Sequence, residues 1–328
     1  MRAIVPLIQK GRTEVVVLGI FIVSLNVIVP LCLFCLIGYG SRVLGWVSLP
    51  AFAELNRLVY KFLLPCVLFY SAYGSNFYKQ FPIGYVAYGV AGVLIVFLVT
   101  FVWIACTHYP RRQKGVIDQA IGRSNLVLLG IPIAQSIYGQ NIGHMAILIA
   151  FIVPLFNFLS VIVLEVYSVK KVRLLEMIVE ILKNPLIVGT FLGVIANLLH
   201  MPMATMFQRT LNSLNTATVP IALIALGGTF EFKSMKNNRW TLTYIAFLRL
   251  FLIPFVFAGL AAMIGFRRIE LLSLLIAFGS PTAVASNSMA QEMNGDSELA
   301  GQIIFITTIL SAFSFFLWIT LLNALHLL

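Results

Sequence analysis

Charged residues are scarce in this chain. Only 10% of its 328 residues are charged, 60% are hydrophobic, and the mean hydropathy is +1.00. A soluble domain carries about 25% charged residues, so this composition excludes an ordinary soluble protein and predicts an all-α polytopic membrane protein. At ~20 residues per spanning helix, the chain has room for about ten spans.

Acidic and metal-ligating residues are scarcer still. There are two aspartates, Asp118 and Asp296, and we expect both near the ends of spans. The four histidines are scattered, and none has a second histidine or a carboxylate at ligand spacing. A Walker sequence is also missing, which excludes ATP as the energy source. We therefore predict no metal, no cofactor and no enzymatic activity.

Cysteine and basic residues exclude two further classes. All four cysteines lie inside apolar runs, where they behave as small hydrophobic side chains rather than redox or metal groups. The net charge of +11 is distributed mostly between the apolar runs rather than along one face. It therefore predicts contacts with anionic lipid head groups and a fixed membrane topology, not nucleic-acid binding.

The apolar runs predict two sets of five spans. A basic, interfacial N-terminal segment covers 1–15, a first set covers 16–169, a basic loop covers 170–173, and a second set covers 174–328. The predicted spans are 16–39, 54–73, 83–108, 118–139, 142–169, 174–200, 206–229, 240–265, 270–292 and 299–328.

Proline positions indicate that the two sets are repeats. Pro30 and Pro185 are 155 residues apart, as are Pro65 and Pro220. Pro132 and Pro281 are 149 apart, which predicts that six residues are lost in the third-span region. Because each unit has an odd number of spans, the second must be inverted relative to the first, a layout that permits alternating access.

The fourth and ninth spans carry the strongest site signal. Residues 122–134 and 278–288 are apolar stretches that contain proline together with serine, threonine or asparagine. Proline interrupts a helix, and irregular backbone at membrane depth is tolerated only beside protein or a water-filled cavity. We therefore predict paired broken helices at a substrate site, with new helical halves whose free amides lie at about 133–135 and 282–284. For the polar residues, bonding to carbonyls or between helices is the alternative.

Two cations fall deep in predicted spans. Lys61 lies one turn before Pro65, where it could attract an anion or extend to the cytoplasmic surface. Arg249 precedes Pro254 by five residues, and we expect it to brace freed carbonyls rather than bind substrate. Lysine and arginine are more frequent on the side reached after the first span, so that side is predicted to be cytoplasmic and both termini extracytoplasmic.

Ordered motifs over nearly the whole chain carry a family resemblance. They are Asn56-Arg57-Leu58-Val59 to Pro65, Ser124-Asn125 to Gly130-Ile131-Pro132 and Tyr138-Gly139, Asn184-Pro185, Pro220 to Gly227-Gly228, and Pro281. With these motifs the sequence resembles the auxin efflux carrier family, which includes plant carriers and bacterial permeases for organic anions. The long cytoplasmic loop of the plant carriers is absent.

The resemblance implies a fold and a site. It implies ten helices, a scaffold of spans one, two, six and seven, a mobile unit of spans three to five and eight to ten, and crossing broken helices four and nine. It also implies that Asn125 contacts substrate. We further expect elevator-type motion and a homodimer through the scaffold helices. The predicted substrate-binding residues are Asn125, Gly130, Ile131, Pro132, Ser280, Pro281, Thr282, Asn287 and Lys61.

The favoured function is a secondary carrier of a small organic anion in the cell membrane. Paired helix N-termini without a nearby carboxylate in sequence predict selection for negative charge. A sodium-coupled symporter of the bile-acid type has the same inverted five-span plan, but it requires acidic residues near the crossing, which the sequence does not place there. A polytopic membrane enzyme is the alternative from another class.

Overall fold

The computed structural model describes residues 22, 25–26, 28–74, 82–139, 142–168 and 174–328. Within these ranges every regular element is a helix. This confirms the prediction of an all-α chain. The predicted interfacial segment 1–15 and the basic loop 170–173 lie outside the described residues.

The first half of the chain forms helices α1 to α7. Their bounds are α1 Ile28–Val43, α2 Leu49–Leu58, α3 Leu64–Tyr73, α4 Ile83–Ala105, α5 Arg111–Gly122, α6 Leu126–Tyr138 and α7 Gly143–Val166. A π-helical segment, Val59–Leu63, joins α2 to α3 without interruption.

The second half forms helices α8 to α15. Their bounds are α8 Leu174–Lys183, α9 Pro185–Leu198, α10 Thr205–Thr229, α11 Arg239–Phe247, α12 Ile253–Ile264, α13 Arg268–Gly279, α14 Ala285–Glu292 and α15 Ser297–Ala324. A second π-helical segment, Leu248–Leu252, joins α11 to α12, and a 3₁₀ helix covers Phe232–Lys236.

Several of these helices have the length and composition of membrane spans. Five qualify among the described residues: Ile83–Ala105, Gly143–Val166, Thr205–Thr229, Arg239–Ile264 and Ser297–Ala324. Shorter apolar helices cover Ile28–Val43, Leu126–Tyr138 and Pro185–Leu198. The chain is a multi-pass membrane protein.

Proline explains the two π-helical segments. Each segment ends two residues before a proline, Pro65 in one case and Pro254 in the other. Proline has no amide hydrogen, and its ring clashes with the preceding turn. A locally wider turn lets the helix continue past the proline, so α2–α3 and α11–α12 each form one long helix.

Two half-helices lie at the centre of the fold. In α5 every residue from Gly115 to Gly122 is buried, and in α13 every residue from Leu271 to Gly279 is buried. A helix that is buried on all sides is packed inside a bundle rather than on its surface. The backbone carbonyls and amides at the ends of these two helices therefore lie in the interior of the bundle.

The structure corrects two positions in the fourth span. Pro132 lies inside α6, so the predicted break at Gly130-Ile131-Pro132 is wrong, and the chain instead breaks at Arg123–Asn125. Helix α5 begins at Arg111, seven residues before the predicted start of the span, because its first turns are charged and carry no apolar signal. As a result Asp118 is buried in the interior of the fourth span, one turn before the end of α5, rather than near a span end, whereas Asp296 does cap α15.

Candidate functional site

The two broken helices meet at their breaks. Between α5 and α6 the backbone is extended at Arg123, and between α13 and α14 it is extended at Ser280. The amide of Asn125 donates to the carbonyl of Pro281 at 2.8 Å, and Ser124 and Thr282 form an antiparallel bridge. A short strand-like pairing thus replaces the helical hydrogen bonds that both chains lose there.

Arg249 satisfies the carbonyls at the ends of both half-helices. Its guanidinium is 1% exposed and donates to Ser280 O at 2.7 Å, Ile121 O at 2.8 Å and Ala277 O at 3.2 Å. The last carbonyls of a helix have no partner within that helix. The prediction that Arg249 braces freed carbonyls is confirmed.

Threonine side chains add further bonds around the crossing. The hydroxyl of Thr282 donates to Ala120 O at 2.8 Å, and the amide of Thr282 donates to the hydroxyl of Thr307 on α15 at 3.3 Å. With Arg249, these bonds join α5, α13 and α15 into one hydrogen-bonded network. The crossing is therefore held in place by buried polar contacts.

A cavity of about 130 Å³ opens beside the crossing. Its wall is formed by α3, the first break, the start of α6, α7, α10, and the second break with the start of α14. The lining residues are Leu64, Val67, Leu68, Arg123, Ser124, Asn125, Leu126, Val127, Val153, Phe156, Asn157, Thr218, Val219, Ala222, Ala283, Val284 and Ala285. At ~30 Å³ per water, the cavity has room for about four waters or a small organic molecule.

Arg123 is the one cation in this wall. Its side chain is 6% exposed, and it donates to Asn157 Oδ1 at 2.7 Å and to the sulfur of Met289. Neither partner is negatively charged, and among the described residues no carboxylate lies within 4 Å of the guanidinium. A buried charge without a counter-ion is costly, so an anionic ligand would stabilise this site.

Asn125 also borders the cavity. Its side-chain Nδ2 is buried, and no hydrogen-bond partner exists for it within the described ranges. The hydroxyls of Ser124, Ser280 and Ser286 are unpartnered in the same way. A buried amide donor without a partner costs free energy, and a ligand that accepts from Nδ2 would recover it.

The other predicted site residues lie around the crossing but outside the cavity wall. Ser280, Pro281 and Thr282 are buried and support the crossing through the bonds given above. Gly130 packs against Met145 and Ile276, and its neighbours Ile131 and Pro132 on α6 are half-buried. Asn287 is 3% exposed and borders a separate cavity of about 90 Å³ near Glu231 and Glu298.

Lys61 does not line the cavity in this conformation. Its side chain is 52% exposed, and its ammonium lies 3.9 Å from the carboxylate of Glu292 at the end of α14. The contact joins α14 to the π-helical segment that follows α2. The charge of Lys61 is thus balanced by an acidic residue.

A polar cluster beside this ion pair connects α2 with α14. Asn56 is fully buried; its amide donates to Gln291 Oε1 at 2.6 Å, and its oxygen accepts from the Ser288 hydroxyl at 2.5 Å. Gln291 in turn donates to Ala53 O at 3.1 Å. We call Asn56, Ser288 and Gln291 the α2–α14 cluster. Its hydrogen bonds join the two helices.

Neither Arg123 nor Asn157 was among the site residues predicted from the sequence. Arg123 stands between apolar runs, and a central arginine costs about 2.5–3.5 kcal/mol on insertion scales. That cost could have indicated a functional role for Arg123. The break was predicted at Pro132, however, so Arg123 was expected in a regular helical turn rather than at the site. Asn157 had no local signal, because its relation to Arg123 arises only when α7 packs on α5.

Comparisons with known proteins agree with this architecture. A family described as "Membrane transport protein" matches residues 23–319. The chain is 26% identical over 305 residues to an uncharacterized transporter of Methanothermobacter thermautotrophicus, covering 91% of this chain and 98% of that protein.

Two further relatives come from a bacterium and an archaeon. The uncharacterized transporter YfdV of Escherichia coli is 24% identical, with 86% of this chain and 94% of YfdV covered. An uncharacterized transporter of Methanocaldococcus jannaschii is 22% identical, with 90% and 98% covered. The chain therefore belongs to the membrane transport proteins of the auxin efflux carrier family.

Proposed function

We propose that this transporter is a secondary carrier of small organic anions with one or more carboxylates. The observation that carries the proposal is Arg123, a buried cation in the cavity wall without an acidic partner among the described residues. Guanidinium groups bind carboxylates through strong, charge-assisted hydrogen bonds. Asn125 supplies a second donor on the same side of the cavity.

The helix ends add to this preference for negative charge. Leu126 and Val127, the first residues of α6, line the cavity together with Ala285, the first residue of α14. The amides at the start of a helix have no acceptor within that helix, and the helix dipole is positive there. A carboxylate at the crossing would accept from these donors. The sequence predicted free amides at 133–135, but these residues lie inside α6. The free amides of this helix are those of its first residues, which follow Asn125.

The runner-up functions fit the site less well. A sodium-coupled symporter binds a cation, whereas the cavity is lined by the positive charge of Arg123 and by no carboxylate, so a cation in this cavity would be repelled. For a metal-dependent enzyme, the described residues contain no group of three or more His, Cys, Asp or Glu side chains that could hold a metal ion. The family and its relatives also favour transport over catalysis.

We propose ten spans in two inverted repeats. In that scheme α8 and α9 are one span, α5–α6 is the fourth, and α13–α14 is the ninth. The breaks after Gly122 and Gly279 are 157 positions apart, close to the 155 that separates the first two proline pairs. This register supports the repeat and replaces the pairing of Pro132 with Pro281.

We propose an elevator mechanism in which α1–α3 and α8–α10 form a scaffold. Close helix packing supports this unit: a methyl group at Gly189 of α9 would lie 2.6 Å from Pro65 O of α3, and one at Gly227 of α10 would overlap Cys35 O of α1. Backbones that approach this closely favour stable helix pairs in membranes. The hydrogen-bonded crossing would move as part of the other unit.

The cavity lies where these two units meet. Its wall combines α3 and α10 of the scaffold with the crossing and α7 of the mobile unit. An anion bound to Arg123 would travel with the crossing, and sliding along the scaffold would expose it on the other side. The homodimer and the extracytoplasmic termini stay predictions.

Uptake into proteoliposomes tests the proposal. The purified protein should take up at least one of labelled lactate, benzoate, malate and malonate, and should prefer it over its uncharged amide. Arg123→Gln should lower this uptake at least about thirtyfold, because a buried partner of the carboxylate is lost. Arg123→Lys should retain part of it, because the charge remains.

Arg209→Gln is the matched control. Arg209 is exposed on α10 and outside the cavity wall, so its loss should leave uptake unchanged. Thermal unfolding of each variant separates a folding defect from a binding defect. If Arg123→Gln takes up the carboxylate as fast as Arg209→Gln does, Arg123 does not bind substrate.

A further inference from the structure

Asp118 is a buried carboxyl group that the anion site does not use. It lies in α5, one turn before the end of that helix, and its side chain is fully buried. Its Oδ1 is 2.5 Å from the hydroxyl oxygen of Thr100 on α4, and its Oδ2 has no hydrogen-bond partner in the described part of the chain. No lysine or arginine described in the structure lies within 4 Å of it.

The hydrogen bonds around Thr100 indicate which group carries a proton. The Thr100 hydroxyl oxygen lies 2.7 Å from Val96 O, 3.1 Å from Phe97 O and 2.5 Å from Asp118 Oδ1. A hydroxyl has one proton to donate but can accept from other groups. Threonine in a helix commonly donates to the carbonyl four residues earlier. With that proton used on Val96, a protonated Asp118 can donate to Thr100 at the observed distance.

The surroundings also favour the neutral acid. A carboxylate here would leave Oδ2 charged and unsolvated, which is expensive in a buried site. It would also lie near the C-terminal end of α5, where the helix dipole repels negative charge. A neutral carboxyl group avoids both costs.

Other ionisable groups around α5 do not supply a counter-ion. Helices α4, α7, α11, α14, α15 and the segment Leu248–Leu252 pack against α5. The hydroxyl of Tyr167, which follows α7, donates to Phe101 O. The basic side chains on these elements contact other groups: His144 pairs with Glu270, Arg239 lies over the Trp240 ring, and Arg249 donates to carbonyls. Their acidic side chains, Glu165, Glu292 and Glu298, cannot act as counter-ions to a carboxylate.

We propose that Asp118 is the proton-binding site of this carrier, so that the organic anion and a proton are transported together. The proposal rests on the proposed anion transport and adds its coupling ion. Arg123 directly follows the last residue of α5, and the helix rises only ~6 Å from Asp118 to that last residue, Gly122, at 1.5 Å per residue. An anion that neutralises Arg123 would strengthen proton binding at Asp118, and by reciprocity a bound proton strengthens anion binding.

The proton step balances simply. On the side where substrate enters, the Asp118 carboxylate takes a proton from hydronium, forming an O–H bond and leaving a water molecule. On the other side that O–H bond breaks, the proton returns to water, and the carboxylate remains on α5. A monovalent anion and one proton together carry no net charge across the membrane.

Infrared spectroscopy tests the protonation without any substrate. The wild-type protein in lipid at neutral pH should show the carbonyl band of a protonated carboxylic acid, and Asp118→Asn should lack it. Thr100→Val should shift the frequency of the band, because the acid loses its hydrogen-bond acceptor. Glu54→Gln is the matched control: its carboxylate is exposed, with 72% of the side chain accessible, so the band should persist.

Flux measurements test the coupling. With labelled lactate, benzoate, malate or malonate, an inward acid gradient should accelerate uptake by the wild-type protein and by Glu54→Gln. Asp118→Asn, which imitates the neutral acid permanently, should still exchange internal for external anion, but its uptake should not respond to the gradient. A pH dye inside the vesicles should report proton entry only in the first two proteins.

The outcomes separate this inference from the proposed function. A missing acid band in the wild-type protein, or an unchanged gradient response in Asp118→Asn, would overturn the role of Asp118 while anion transport itself persists. Failure of the wild-type protein to transport any of the four carboxylates, with or without a gradient, would overturn the proposed function, and the infrared band would still decide whether Asp118 is protonated.

Discussion

Arg123 and Asn125 lie two residues apart in the same break, but their side chains differ in hydrogen bonding. The guanidinium of Arg123 has two uncharged partners, Asn157 and Met289, whereas Nδ2 of Asn125 has none among the described residues. Arg123 therefore contributes to the fold and to the charge of the cavity. Because Nδ2 of Asn125 makes no hydrogen bond within the described residues, its removal takes no such bond from the fold.

We predict that Asn125→Ala lowers carboxylate uptake at least about tenfold and leaves folding intact. A hydrogen bond to a charged group contributes about 1.5–3 kcal/mol, and 1.4 kcal/mol corresponds to tenfold in affinity. Uptake into proteoliposomes and thermal unfolding with and without the carboxylate measure the two effects separately.

Ser136→Ala is the control for this prediction. Ser136 lies on α6, whose first residues line the cavity. Its own side chain does not line the cavity, and its hydroxyl donates to Ile133 O. Its loss should leave uptake unchanged. Normal uptake by Asn125→Ala would exclude Asn125 from the substrate site.

At the scale of helices, tertiary contacts rather than proline decide where the fourth span breaks. Pro132 is accommodated inside α6, while the break at Arg123–Asn125 coincides with the pairing of Asn125 and Pro281. Arg249 satisfies carbonyls of both α5 and α13 at the same place. A break survives in a membrane protein only where such partners exist.

We predict that Arg249→Met destabilises the protein by about 3 kcal/mol or more. It leaves three buried carbonyls without a donor, and each unsatisfied buried group costs about 1–3 kcal/mol. Thermal or denaturant unfolding of the purified variant measures the loss. Arg239→Met removes an exposed arginine that stacks on Trp240 and should change stability far less. Equal stability of the two variants would show that Arg249 does not brace the crossing.

For the whole molecule, the α2–α14 cluster is a buried polar contact between the two proposed units, beside the ion pair of Lys61 and Glu292. Asn56 of α2 bonds to Ser288 and Gln291 of α14 in this conformation. Sliding of one unit along the other would have to separate these side chains. The cluster therefore stabilises one conformation of the transport cycle.

We predict that a disulfide between Asn56→Cys and Ser288→Cys stops transport, in a background where the four native cysteines are replaced. The cross-link would prevent the motion that separates α2 from α14. Uptake before and after oxidation, with the cross-link verified by mass spectrometry, measures the effect. Reduction should restore transport.

A second cysteine pair controls for cross-linking as such. Gln113 of α5 donates to Asp296, the residue that caps α15, at 3.0 Å, and both lie within the proposed mobile unit. A disulfide between Gln113→Cys and Asp296→Cys should leave most transport intact. Full turnover with a verified cross-link at Asn56 and Ser288 would contradict the elevator mechanism.

Local hydropathy and proline positions predicted much of the fold. Apolar run lengths predicted the positions of the long helices, since backbone polar groups in lipid must be satisfied within a helix. Pro281 and its serine and threonine neighbours predicted the second break. Asn125 was identified through family motifs and lines the cavity, and its contact with substrate stays a prediction. Charged first turns hid the start of α5.

The sequence by itself determined the membrane class, the helices and the interrupted ninth span, because hydropathy and proline act over one or two turns. Only the tertiary structure decided that the fourth span breaks at Arg123–Asn125, that Arg123 meets Asn157, and that Asp118 is buried against Thr100. These contacts join residues from different helices. Their free energies depend on which partner is packed nearby, and no local pattern contains that information.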